Sequence, residues 1–527
     1  MLLINIDGAS CAANRLTFYK IISVALFILT AGSPNAETPV AQRLYQTHCA
    51  ECHHAMRQGG VGPVLLPESL KYLRKNSAIK AIRSGHTETL KKDFSSKLSD
   101  EQVNALVDYI YSPQQKSLSW SMGNIRSSHV VYDKEKRLLK KPALKVKDPQ
   151  NVFVVVEKGD HHVTLLDGDT FEPLHRFKSR FALLGDPQFS PSGRYVYFSS
   201  RDGWISKYDL LSLNWVAEIR VGINTRNMAI SSDGRYLLAA NFLPHTLVLL
   251  DSRTLSPLKY YPVKTIAGKS SRVSAVYTSP PSNSFFAALK DIPELWEISY
   301  ADEPPHGFGM WMHDYRVDSG ENTRPVPFPF RRIPVKDYLD DLFFANNYIS
   351  IVGVTHAASG QVVDMDVRKP IVAKLDLAGK PHFSSGVSFT YQGQKVLAVP
   401  NFRKGVVSVI NLETWETIKQ IKTLGPGFYI HTHKNSPYIW TDVFFGPHKD
   451  AVHVIDKASL EIVKTLRPMK GKKSAHVEFS RDGKHALVSI WEKEGALIVY
   501  DAKTLKEIKR IPMKKPAGKY NIYNRVN

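Results

Sequence analysis

Three side chains within five positions carry the plainest chemistry in this chain. In the stretch YQTHCAECHHAMRQGGVGP, Tyr45 to Pro63, Cys49 and Cys52 are separated by two residues and His53 follows at once. Two thiols so spaced reach the two vinyl-derived carbons along one edge of a porphyrin. The adjacent imidazole then swings under the iron as its proximal ligand. Other uses of the pair fit less well. A zinc site needs two more ligands at fixed spacing, and there is no second cysteine pair. A thioredoxin-like redox disulfide needs a βαβ pattern nearby, and this region reads helical. Cys49, Cys52 and His53 are therefore expected to hold one covalent haem c per chain.

The neighbouring segments are those needed to position such a group. GGVGP follows as a tight loop suited to wrapping a haem edge, and AIKAIRSG and LSDEQVNALVDYIYSP read as helices. In the second helix Ser99 is the N-cap, and Glu101 and Gln102 lie in the first turn. Leu106, Tyr109 and Ile110 fall at helical spacing, and Pro113 stops the pattern. Over roughly residues 38–112 the chain resembles a class I cytochrome c. It departs from that family at the sixth iron ligand: where the resemblance implies a methionine, TLKKDFSSKLS offers Lys91. His86, Met56 and Lys91 are the candidates, and a bis-His iron would have a lower potential than a His/Met one.

Upstream, Ile21 to Gly32 form an apolar run preceded by Arg15 and Lys20 and followed by SPNA. About a dozen residues are too few to span a bilayer but suit a secretory signal. Residues 1–36 are read as a signal peptide that directs the mature chain to the periplasm without a membrane span; an uncleaved anchor is the alternative. Removal of the signal takes Cys11 with it, leaving only the two haem-site cysteines and no disulfide framework. The remainder divides into a cytochrome c domain (37–113), a polar linker (114–150) and a long C-terminal region (151–527). At 527 residues there is ample core for several domains. Net charge is +21, spread through every segment, which speaks for acidic small molecules or acidic partner proteins. No compact basic helix or aromatic-basic interleaving points to nucleic acid.

Residues 151–527 change texture, to short apolar runs punctuated by SGR, DGR and DGK. Aligned on the end of one apolar strand, eight units appear, anchored at Asp167, Asp209, Asp251, Tyr300, Asp366, Asn411, Asp456 and Asp501. Successive anchors are 42, 42, 49, 66, 45, 45 and 45 residues apart. Short strands at such a period predict a β-propeller of eight blades. The predicted fold is therefore multidomain: a small all-α cytochrome c domain followed by an all-β eight-bladed propeller. The long gap holds an insertion rich in proline and aromatics, expected on one face, where it would cap a site.

A c-type haem joined to an eight-bladed propeller resembles the cytochrome cd1 group, whose propeller holds haem d1. The resemblance spans nearly the whole mature chain. Its most specific pieces are GKYNIYN (Gly518 to Asn524), SGRYVYFSSRDG (Ser192 to Gly203), AANFLPHTLVLLD and SRVSAVY. Residue matching within the group discriminates. The nitrite-reducing members present a proximal histidine just before the SGRY strand, where this chain has Gly185. Their two proton-donating histidines have Asp340 and Tyr391 as approximate counterparts here. EKGDHHVTLLD, LDDLFF, KPHFSSG and TLGPGFYIHTHKNSPYIWTDVFFGP instead look like the group's dehydrogenase branch. That branch finishes haem d1 synthesis by oxidising one propionate of dihydro-haem d1 to an acrylate.

The resemblance implies a non-covalent haem d1 or dihydro-haem d1, electrons passed to haem c and then to a small periplasmic acceptor, and a cytochrome cd1 nitrite reductase as recipient of the product. Such a desaturation needs a base near neutrality and an iron ligand, both roles suited to histidine. His161 and His162 are adjacent in the first blade and point to opposite faces if they lie in a strand. They and His433 are the candidate bases, and His382 the candidate ligand to the d1 iron. His431 and His356 are weaker candidates. Tetrapyrrole carboxylates call for guanidinium partners, and Arg201, Arg226 and Arg272 match basic residues of the group. Tyr520 and Tyr523 would wall the pocket or close the last blade. Two rival readings remain: a non-enzymatic haem d1 carrier or electron-transfer protein, and a nitrite reductase with an altered distal pocket.

Overall fold

The computed structural model describes residues 37–527 apart from 61, 71–72, 85–93, 95–96, 115–117, 133–141, 185, 306–307, 309–325 and 356–358. The signal-like segment, His86, Lys91, Gly185, His356 and most of the long insertion thus lie outside the described residues. Among the described residues no helix is long and apolar enough to cross a membrane.

The N-terminal part is helical. Helices Glu37–His48 and Asp100–Tyr111 cross where Tyr45 meets Tyr109, with ring centroids 5.4 Å apart. Lys75–Ser84 packs against the second of these. Leu70, Val103, Leu106 and Ile110 complete the small core. Ser99 starts its helix as predicted: its Oγ accepts from the Gln102 N–H at 3.3 Å, and Gln102 Oε1 accepts from the Ser99 N–H at 2.9 Å. The connecting stretch is more structured than its polarity suggests. It carries a short helix, Met122–Ser127, and a strand, Val130–Val131, that pairs with Glu218 and Ala217 as a fifth, outer strand of the second blade.

The rest is an eight-bladed propeller. Of eight antiparallel four-stranded sheets, seven hold their four strands in chain order, one of them with that extra strand. The first strands of successive sheets pack on one another, which puts them around the central axis. The ring closes by an exchange across the whole chain: Pro516–Asn521 is the innermost strand of the sheet whose other strands are Val152–Glu157, His162–Asp167 and Pro173–Lys178. Tyr520 pairs with Val154 in this seam, and Lys519 with Val155. Two ends follow from up-and-down blades. Hairpins gather at one end. Connections from second to third strand, and from blade to blade, gather at the other, here called the crossover end.

The period has a local cause. The anchor ends the third strand, and its side chain accepts the N–H groups two and three residues on, as Asp456 Oδ1 does from Ala458 (3.0 Å) and Ser459 (2.8 Å). The same holds for Asp167, Asp209, Asp251, Asn411 and Asp501. Four residues past each of these six, the chain takes positive φ, at Phe171, Leu213, Leu255, Trp415, Leu460 and Leu505. Two anchors need correcting. In the fifth blade the acceptor is Asp364, not Asp366, because Asp364 ends the strand and its Oδ1 accepts from the N–H of Asp366. In the fourth, Ser299 ends the strand and takes the Ala301 N–H, in place of Tyr300. The long insertion leaves and rejoins between the third and fourth strands of that blade, at the hairpin end.

The buried Asp209 adds an ion pair to its turn: the half-exposed Arg194 grips it with Nε to Oδ1 at 3.1 Å and Nη2 to Oδ2 at 2.7 Å. Asp209→Ala should therefore lower the apparent Tm more than Asp501→Ala. Losing charge-assisted hydrogen bonds costs about 1.5–3 kcal/mol, against about 1 kcal/mol for losing ordinary hydrogen bonds. Scanning calorimetry of the two variants tests this; equal shifts would mean that the turn alone matters.

Candidate functional site

The haem-binding loop is built for a ligated histidine. His53 Nδ1 lies 2.7 Å from the Pro63 carbonyl, which can only accept, so Nδ1 carries the proton and Nε2 keeps its lone pair for a metal. The glycines of GGVGP make room for this: a Cβ on Gly62 would stand 2.7 Å from the His53 ring, and Gly59 has φ +77°. Cys49 and Cys52 stand half-buried beside it and are not joined in a disulfide. These groups fit a covalent haem c. Arg57, almost fully buried, donates to the Tyr109 carbonyl and to the Ser112 carbonyl at 2.9 Å, so a cation sits at the negative end of the last helix. Met56 lies three residues beyond His53 on the same loop, with its N–H on His54 Nδ1 at 3.2 Å and its carbonyl taken by Gln114.

This loop rests on the propeller. Arg220, buried at the end of the second blade, donates to the carbonyls of Gln58 and Gly59 and to Asp202 O at 3.0 Å, while its guanidinium lies 4.6 Å over Trp120. Burial lowers its pKa to about 10. Val64 and Leu66 pack with Ile223, and Asn224 donates to Ser69 at 3.1 Å. The helical domain therefore stands on the crossover end.

At that end the loops divide into two arcs. One is cationic. Lys158 is lowered to about 8, first by burial and then by Arg201, Lys515 and Arg226. Arg272 forks onto Asp291, Nε to Oδ2 at 2.8 Å and Nη2 to Oδ1 at 2.5 Å, and Asp340 is held between Lys290 and Lys380. Arg226 and Arg272 both lie over the Phe242 ring, at 5.2 and 5.6 Å.

The other arc is aromatic and runs ring to ring through four blades. His382 meets Phe428 at 4.5 Å, Phe428 meets Tyr429 at 4.6 Å, Tyr429 meets His476 at 4.8 Å, and His476 meets Tyr520 at 5.2 Å. His382 repeats the pattern of His53: Nδ1 is on the Phe428 carbonyl at 2.6 Å, and Nε2 keeps the lone pair, with Ser384 Oγ 2.9 Å away. Burial lowers its pKa, so the ring stays neutral, as a ligand must. Asp442 ties the arc together. Its Oδ1 accepts from the N–H of Phe428 (2.8 Å) and Tyr429 (3.1 Å), and its Oδ2 from the N–H of His476 (3.3 Å). Desolvation raises Asp442 to about 6.

The predicted residues are thus partly assembled. His382, Arg201, Arg226, Arg272 and Tyr520 converge on the crossover end. His161 and His162 are there too, but not as two faces of a strand: His161 occupies the turn, with φ +61°, and His162 begins the strand. His161 packs on Phe181 at 4.8 Å, and His162 Nδ1 meets Asp160 O at 2.9 Å. His433 lies elsewhere, in a hairpin of the seventh blade beside Asn435 and Phe479, and its ring abuts Gly483 of the next blade's hairpin. Tyr391 also lies at a hairpin, and Tyr523 sits in the terminal helix under Arg481. His431 lies deeper in the channel, 4.0 Å from Glu478. Sequence reasoning missed His476, Lys519, Asp442 and Lys158. Lys158, Asp442 and Lys519 fell within quoted motifs (EKGDHHVTLLD, TLGPGFYIHTHKNSPYIWTDVFFGP and GKYNIYN) without being singled out, and His476 fell within none.

Comparison with known proteins bears on the same features. The family model for the cytochrome D1 heme domain matches residues 147–525. That for cytochrome C oxidase, cbb3-type, subunit III, matches residues 36–110. The dihydro-heme d1 dehydrogenase of Pseudomonas aeruginosa is 47% identical over 96% of this chain and 98% of its own. The nitrite reductase of Stutzerimonas stutzeri is 24% identical over 99% of each. A solved structure of dihydro-heme d1 dehydrogenase NirN in complex with DHE superposes with a TM-score of 0.85 at 47% identity, over 92% of this chain and all of that one.

Asp442 gives a pH test. Its pKa in the fold, about 6, lies above the ordinary 3.8, so the fold binds a proton that the unfolded chain does not. Stability should fall as pH rises from about 4 to about 6 and level off above. Asp442→Asn should remove that slope, at a baseline cost of about 1 kcal/mol for the lost acceptor. Tm followed against pH in both chains is the measurement; a slope retained in the variant refutes the assignment.

Proposed function

Since the chain belongs to the cytochrome D1 heme-domain family and carries a cytochrome c domain, with the dehydrogenase as its near-full-length relative, we propose that it is an oxidoreductase converting dihydro-haem d1 to haem d1. One propionate, –CH2–CH2–COO⁻, becomes an acrylate, –CH=CH–COO⁻, with release of two protons and two electrons. A haem c held by Cys49, Cys52 and His53 would supply a one-electron acceptor between the substrate and a small external carrier. This takes place in the periplasm, and the product passes to a cytochrome cd1 nitrite reductase.

The observation that carries this reading is the division of the crossover end into two arcs. A flat macrocycle bearing carboxylates needs aromatic walls on one side and cations on the other. His382 supplies a neutral Nε2 to the substrate's iron. Lys158, Arg201 and Arg226 hold carboxylates, and Arg272 is itself oriented by Asp291. Tyr520 bounds the centre, its hydroxyl kept protonated by burial. Among the sequence candidates for the base, His162 is favoured: Nδ1–H on a carbonyl leaves Nε2 basic. The position of His433 among the hairpins argues against it. The helical domain on the same end favours oxidation over carriage, since a carrier has no use for an electron acceptor.

Incubation of the purified protein with dihydro-haem d1 and an electron acceptor should give a product lighter by two hydrogens, with transient reduction of haem c. Cys52→Ser should bind the substrate but lose the covalent haem band and the transfer to acceptor. Return of unchanged substrate would establish the carrier instead. Nitrite reduction should be negligible, because loss of a proton donor costs about 100- to 10,000-fold. Binding should weaken with salt, and Arg226→Ala should weaken it about tenfold or more; an unchanged affinity removes Arg226 from the site.

A further inference from the structure

His476 is held in a way that ordinary packing does not require. It lies in the first strand of the last blade, Ser474–Phe479, where the ladder slips between Ala475 and Val477. Its φ is +52°, a conformation that side-chain-bearing residues rarely adopt. Such a bulge turns a side chain out of the sheet, and strain of this kind persists only where surrounding groups enforce it. Two charged residues do so. Asp442 Oδ2 takes the His476 N–H at 3.3 Å, and Lys519 Nζ donates to the His476 carbonyl.

Lys519 does more than hold the backbone. The residue is fully buried, with its amine also on Ser489 Oγ at 3.0 Å and 3.4 Å from His476 Nδ1. Burial lowers its pKa to about 7, so below neutral pH it is an ammonium, and its three N–H bonds meet three acceptors. An amine that donates to Nδ1 requires that nitrogen to be bare. The neutral imidazole then carries its proton on Nε2, the reverse of His53 and His382, whose Nδ1 faces a carbonyl. The His476 ring lies between Tyr429 and Tyr520, in the centre of the aromatic arc.

We infer that Lys519 is a positioning residue that locks His476 as an Nε2–H donor to an oxygen on the rim of the bound tetrapyrrole, so that His476 binds substrate rather than accepting its proton. The inference rests on the tetrapyrrole reading of the site for its ligand, though not for the tautomer. Burial and the neighbouring Lys519, Arg525 and His431 keep the ring neutral, in agreement with this role.

The test is a ¹⁵N spectrum of the histidine-labelled full chain with haem c reduced, at about pH 6, where Lys519 is an ammonium and His476 still neutral, and without substrate, using His476→Gln to assign the signals. The expected result is a bare Nδ1 and a protonated Nε2. Lys519→Met should admit the other tautomer and weaken dihydro-haem d1 binding about tenfold, the worth of one directed hydrogen bond. Lys519→Gln, which retains an N–H donor, should restore both. A protonated Nδ1 in the wild-type chain, or a tautomer unmoved in Lys519→Met, overturns the inference. If neither variant folds, the wild-type spectrum alone decides. Because the tautomer is read without turnover, failure of the proposed reaction and failure of this inference give different results.

Discussion

The pairing of Val152–Glu157 with Pro516–Asn521 is the constraint on which everything else rests. Apart from the strand Pro516–Asn521, the first and last blades have no direct chain connection to each other, and only this seam makes an arc into a ring. It also brings Lys519 and Tyr520 to the centre, beside residues from the seventh and eighth blades. Closure and site construction are therefore one event. Until the last strand is in place the aromatic arc lacks its final ring, and the bulge at His476 lacks the amine that holds it.

The site is specified by opposed environments. On one side cations crowd until Lys158 is pushed toward neutrality. On the other, aromatic rings meet in sequence, and Asp442, His382 and His476 among them are each claimed by a neighbour. Asp442 satisfies three backbone N–H groups from two blades. Two histidines present opposite nitrogens because one faces a carbonyl and the other an amine. The chemistry available to each imidazole is set by that partner.

What the sequence made legible had local causes. The thiols and His53 announce a haem by spacing alone. The blade count was readable because an Asp or Asn that ends a strand also caps the following turn, repeating one signature within six residues. The reading slipped where the signature was ambiguous: DMD offers two carboxylates, and serine is a shorter acceptor. His382 was found through its motif. His476 was not, because its bulge depends on Asp442 and Lys519, 34 and 43 residues away. Arg220 was equally hidden, as its partner carbonyl is 162 residues distant. His433 lies among the hairpins, a placement hidden from the sequence because adjacency to a motif says nothing of which end of a ring a residue occupies.

The buried Arg220 has a consequence for the traffic of charge. Its guanidinium is filled only when the Gln58 and Gly59 carbonyls are against it, so undocking would leave a cation and two acceptors to be rehydrated. Electron tunnelling falls off exponentially with separation, and a hinge between the two domains would make every transfer a gamble on instantaneous distance. A latch at the root of the haem-binding loop removes that lottery. In the proposed reaction the two redox partners would then be the ends of a wire of constant length, and its pace would be left to the chemistry at either end.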